Sequence, residues 1–133
     1  MNGKAQRLIR FVSAEVKQLT KDSCQAAVEI DLRGIGPFTA TAAGPVEELD
    51  QLRTVARATA DALSAAFDAR GVKVRVVSLQ LVASLTQRTV VATLAVSRGS
   101  EHRNLLGVCD ATRDPVRAAA LAVLNATNRF LAV

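Results

Sequence analysis

A chain of 133 residues with 50% hydrophobic and 22% charged side chains has the length of one domain and the apolar content to bury a core, which excludes wholesale disorder. Seventeen Lys and Arg against twelve Asp and Glu give a net charge of +5, which favours acidic partners by long-range attraction. No apolar run approaches ~18 residues and no hydrophobic block follows Met1-Asn2-Gly3-Lys4, so neither a membrane span nor a signal peptide is expected.

In chain order, residues 4–19 admit two readings. Leu8, Phe11, Val12, Val16 and Leu19 come near helical spacing among the basic Lys4, Arg7, Arg10, Lys17 and Lys21, yet Phe11-Val12-Ser13 matches Val76-Val77-Ser78 of a later β-rich run. That match selects a strand. Gln25 to Arg33 alternates apolar Ala26, Val28, Ile30 and Leu32 with polar Glu29, Asp31 and Arg33, a half-buried strand. Gly34-Ile35-Gly36-Pro37 reads as a hairpin turn into a short strand, Phe38 to Ala42. From Val46 to Ala69, Leu49, Leu52, Ala56, Leu63 and Phe67 line one helical face. Gly44-Pro45 opens that helix and Arg70-Gly71 closes it.

The second half runs strand, strand, strand, helix. Val72 to Leu85 and Arg88 to Ser97 are rich in β-branched residues, Arg98-Gly99-Ser100 is a turn, and Arg103 to Cys109 makes the third strand. Asp114 is placed to cap a final helix that has Pro115 in its first position. A shift of 64 lays Ala26, Val28, Ile30 and Leu32 on Val90, Ala92, Leu94 and Val96. A shift of 65 lays Val12-Ser13 on Val77-Ser78 and Arg33-Gly34 on Arg98-Gly99. The expected fold is α+β: a single domain of two βββα units, about 7–70 and 72–133, with both helices covering one face of the strands.

Catalytic signatures are thin. His102 is the sole histidine, Cys24 and Cys109 are the sole cysteines, and no CxxC or HxxxH spacing supports a metal site. Cys109 in an apolar strand reads as a packed, inert thiol. No Ser-His-Asp order, phosphate-binding loop or dinucleotide fingerprint is present. No metal and no cofactor is therefore expected. Two cysteines make no disulfide framework, which suits a cytoplasmic protein with free thiols. Gly44-Pro45 and Asp114-Pro115 each open a helix after a strand, where backbone N–H groups can hold a carboxylate or phosphate. Asn125 and Asn128 sit in an otherwise apolar helix, where they can line a pocket or an interface. The four aromatic residues are all Phe, which offers little platform for stacking bases.

The βββα pair, Gly44-Pro45-Val46 at the mouth of the first helix, and the Gly107, Asp110 and Leu124-Asn125 series in the second unit resemble the C-terminal regulatory domain of α-isopropylmalate synthase and citramalate synthase. Ala42-Ala43-Gly44-Pro45-Val46-Glu47-Glu48 stands where that family has Gly-x-Gly-Pro-Val-Asp-Ala. Thr86-Gln87-Arg88-Thr89 stands where it has Gly-Thr-Asp-Ala. A synthase barrel alone needs ~250 residues, so the resemblance implies the sensor part without the catalytic part. It also implies a small amino-acid-like or carboxylate effector near a subunit interface.

The expected function is thus a non-catalytic, small-molecule-binding or regulatory module. Its expected ligand site is Gly44, Pro45, Val46, Gly107, Asp110, Asp114 and Asn125. Homo-oligomerisation, most simply a dimer, is expected from Ala56, Ala58, Ala60, Ala62, Ala65 and Ala66, whose small side chains let another element approach. The alternative is a basic nucleic-acid-binding protein, or weak contact with an acidic protein; a small enzyme built on Cys109, Asp110 and His102 ranks below both. No membrane partner is expected.

Overall fold

In a computed structural model that describes residues 8–131, six strands and two helices follow one another as βββα twice. The first unit is β1 (Ile9–Gln18), β2 (Ser23–Leu32), β3 (Gly36–Pro45) and α1 (Glu48–Ala66). The second is β4 (Val72–Ala83), β5 (Arg88–Arg98), β6 (Glu101–Asp110) and α2 (Pro115–Leu131). Each unit forms its own three-stranded antiparallel sheet, in the order β1-β2-β3 and β4-β5-β6. The fold is therefore α+β, with a helix pair packed against two sheets. Lys4 and Arg7, part of the basic N-terminal segment, lie outside the described residues.

Alternation in the strands decides which way each sheet faces. Ala26, Val28, Ile30 and Leu32 of β2 and Val90, Ala92, Leu94 and Val96 of β5 are all buried against the helices. The residues between them point outward. α1 packs on β2, β3 and β4 as well as on α2, while α2 packs on β5, β6 and β1. The two sheets therefore enclose the helix pair, and each helix shows solvent only one stripe. On α1 that stripe is Arg53, Arg57, Asp61 and Ala65, one residue per turn.

The alanine-rich helices use their small side chains inside the chain. Ala56, Ala58, Ala60 and Ala62 of α1 and Ala118, Ala119, Ala120 and Ala122 of α2 are buried, which is how the helices approach both sheets and each other. Helix side chains also satisfy the open strand edges. Arg57 donates to the Ala43 carbonyl of β3, and Asn125 donates to the Val108 carbonyl of β6 at 3.1 Å. Ser64 accepts from the Val74 N–H at 2.9 Å and donates to the Val74 carbonyl at 3.2 Å. Thus β3, β4 and β6 are tied to the helices at their rims.

The first strands share an irregularity. The β1–β2 register slips between Phe11 and Ser13, and the β4–β5 register between Val76 and Ser78. The bulged residues are Val12 and Val77, the pair that the shift of 65 aligns. Among the described residues no helix is long and apolar enough to cross a membrane.

Candidate functional site

The helix mouths singled out in the sequence are built mainly from internal contacts. Gly44 is in β3, and a Cβ there would collide with the Thr54 hydroxyl of α1. Gly107 is in β6, where a Cβ would collide with the Ala122 carbonyl and sit 2.8 Å from the Ala126 Cβ. Both glycines thus let a helix come close to its sheet. Pro45 ends β3, and its carbonyl accepts from the buried Cys24 thiol at 3.3 Å. The Val46 carbonyl accepts from the Gln51 amide.

The acids at the second mouth are engaged as well. Asp114 Oδ1 accepts the Arg117 backbone N–H at 3.0 Å, the N-cap geometry expected of it. Asp110 Oδ1 accepts both the backbone N–H and the hydroxyl of Thr112, at 2.9 and 2.6 Å. The Thr112 hydroxyl bond, and after it the Thr112 backbone bond, hold the Asp110 carboxyl below its ordinary pKa. At the first mouth, Glu47 makes no side-chain cap, and Glu48 and Asp50 occupy the first turn of α1.

The larger open space lies elsewhere. A groove of about 610 Å³ runs over the start of the β4-β5-β6 sheet and round the β4 edge to α1. It falls in the usual size range for small-molecule sites. Register explains its floor: Lys73 pairs with Ser97, Arg75 with Ala95, Ser97 with His102 and Ala95 with Asn104. All six side chains project from the outward face, between buried Val74 and Val96. Ser64 of α1, Asp68 of the turn that follows it, and Arg103 join them in the lining.

The electrostatics of this groove are positive. Lys73, Arg75 and Arg103 outnumber Asp68. Arg103 is held by Glu101 at 3.1 Å, whereas Lys73 and Arg75 enter no ion pair among the described residues. Two uncompensated cations on adjacent same-face positions of one strand, ringed by Ser97, Asn104 and His102, suit a small anion. A second groove of about 380 Å³ lies between β1 and α2, along Ile9, Arg10, Phe11, Arg117, Leu121 and Asn128. Its cations have partners: Arg117 covers the Phe11 ring at 5.0 Å and Arg10 reaches Asp31 at 3.8 Å.

The structure does not bring His102 together with Cys109 and Asp110. His102 and Cys109 sit near opposite ends of β6, and among the described residues no three His, Cys, Asp or Glu side chains cluster to hold a metal. Cys109 is half-buried, and burial pushes its thiol pKa up, the neighbouring Asp110 adding to the effect. The sequence carried one unused signal for the groove: Lys73 and Arg75 alternate with Val72, Val74 and Val76, which puts both cations on one face. Set against known proteins, the chain matches no family model and no curated protein.

Proposed function

We propose that this protein is a non-catalytic binding module for a small anionic molecule, held in the groove over Lys73, Arg75, Ser97, His102 and Asn104. The observation that carries this reading is the position of Lys73 and Arg75, which enter no ion pair among the described residues, at the floor of a cavity of ligand size. A carboxylate or similar anion would take charge-assisted hydrogen bonds from both cations and neutral ones from Ser97 and Asn104. The helix mouths offer less, because Glu47, Glu48 and Asp50 crowd one and Asp114 already occupies the other. The resemblance to synthase regulatory domains, carried by pattern, agrees with an effector-binding role.

Thermal shift and calorimetry with short carboxylates test the reading. A ligand at a hundredfold excess over its Kd adds about 2.7 kcal/mol of stability by mass action. Lys73→Glu/Arg75→Glu should abolish that gain while leaving the unliganded midpoint nearly unchanged, since both side chains are exposed. Binding that survives the double substitution places the site elsewhere. Nucleic acid is the competing occupant of a basic groove. It predicts an affinity that falls steeply and linearly in log salt and grows with oligonucleotide length, whereas a single small anion gives a shallow salt slope.

A further inference from the structure

We infer that the anion is amphiphilic, a carboxylate bearing a straight apolar chain, with its head over Lys73 and Arg75 and its tail along the outward face of β5 and β6. This rests on the groove reading above. Beyond the groove, the β5-β6 part of the same sheet face carries exposed apolar side chains, while Ser78 and Gln80 face outward on β4. Leu106 is 65% exposed, Val108 51% and Val82 52%, and all three project outward. Leu106 pairs with Thr93 and Val108 with Val91, so the four form one strip. The fold does not require such a face. The outward positions of the β1-β2-β3 sheet are mostly polar, among them Glu15 and Lys17, Gln25, Glu29 and Asp31, and Thr39 and Thr41, with Val12 at the bulge 37% exposed.

Geometry favours a ligand with one charged end. From the Ala95 row to the Val91 row is four residues, about 13 Å at the strand rise, a span that suits a medium-length straight alkyl chain. A second copy of this chain fits the face poorly. Two sheets stacked about an axis along the strands bring Lys73 and Arg75 onto the partner's β6, beside its His102 and Asn104. Stacking about an axis across the strands sets the same cations on the partner's Val82. Neither arrangement supplies a counter-charge, whereas a carboxylate head does.

The test is calorimetry and spectral titration of the full chain with butyrate, octanoate and decanoate below micellar concentrations, with decanol as the uncharged control. The expected result is an affinity that tightens about twofold per CH₂ laid half-buried on the strip. Lys73→Glu/Arg75→Glu should remove binding of every acid. Leu106→Gln/Val108→Thr should flatten the length dependence while keeping butyrate binding. Equal affinity for butyrate and decanoate overturns the tail and leaves the anion groove standing, while no binding by any acid overturns both. Decanol binding as tightly as decanoate removes the head contact. Capture by vesicles of anionic phospholipid without binding of monomeric decanoate, or a concentration-dependent dimer that Leu106→Gln dissolves, assigns the face to another occupant.

Discussion

Arg88, the first residue of β5, donates from its guanidinium to the Glu48 carboxylate at the start of α1, at 2.7 Å. Its backbone N–H donates to the Thr112 hydroxyl just before α2, at 3.1 Å, and its carbonyl accepts from Ala111 at 2.7 Å. One residue of the second sheet thus brings the starts of both helices to the same end of the molecule. The ion pair is largely in solvent, with Arg88 35% and Glu48 58% exposed. Arg88→Ala should therefore cost less than about 1 kcal/mol in a denaturation titration, because the backbone bonds that hold the corner remain.

Asp114→Ala removes the side chain that accepts the Arg117 N–H. The loss expected for an N-cap is about 0.5–2 kcal/mol, read as a lower denaturation midpoint at constant slope. Asp114→Asn should recover most of it.

Gly107→Ala should destabilise more than Gly44→Ala. At Gly107 the obstacles are the Ala122 carbonyl and the Ala126 backbone nitrogen, which cannot turn aside, so an overpacking cost of about 1–3 kcal/mol is expected. At Gly44 the obstacle is the Thr54 hydroxyl. It can rotate away at the loss of its 2.7 Å bond to the Asp50 carbonyl, worth about 1 kcal/mol. Urea titrations of the two variants side by side check the order.

The Asp110 turn should respond to acid. Its carboxyl is held below the ordinary value by Thr112, so any stability it contributes is present above the unfolded-state pKa and is lost as pH falls through the folded one. Thr112→Val removes the hydroxyl donor, and the Asp110 pKa should then rise toward its ordinary value in a carboxyl-detected NMR titration. An unmoved pKa would show that the Thr112 backbone N–H, with Gln87 and Arg113, sets it.

Much of the fold was legible because its signals are local. Alternation in Gln25–Arg33 and the Asp-Pro helix start need only neighbouring residues, and they led to β2 and α2, whereas Gly44-Pro45, expected to open α1, instead ends β3, and the helix begins at Glu48. The strand reading of residues 4–19 drew on the match of Val12-Ser13 to Val77-Ser78, and both turn out to be bulge sites. The drift from 65 to 64 lies in the first hairpins. Gln18 and Cys24 pair across five intervening residues, Ala83 and Arg88 across four. Boundaries moved where chain geometry outweighs composition. β6 starts at Glu101 rather than Arg103, since Gly99, at φ 60°, closes a two-residue turn. α1 stops at Ala66, with a 3₁₀ turn over Asp68–Arg70 carrying the chain into β4.

The groove was harder to see because three strands build it. Its residues come from positions 64–68, 73–75, 95–97 and 102–104, and only the pairing register puts Lys73 beside Ser97 and Ser97 beside His102. The helix mouths stood out in the sequence because Gly, Pro and Asp are strong local signals, and those residues are spent here on close packing and capping.

The most direct test is an assigned amide spectrum of the intact chain, titrated first with butyrate and then with decanoate. We expect butyrate to shift Lys73–Arg75, Ala95–Ser97 and His102–Asn104, and decanoate to extend the shifts to Leu106, Val108 and Val91. Gly44–Val46 and Asp110–Asp114 should stay in place. Shifts concentrated at those two helix starts, with the Lys73–Arg75 strand silent, would contradict the account.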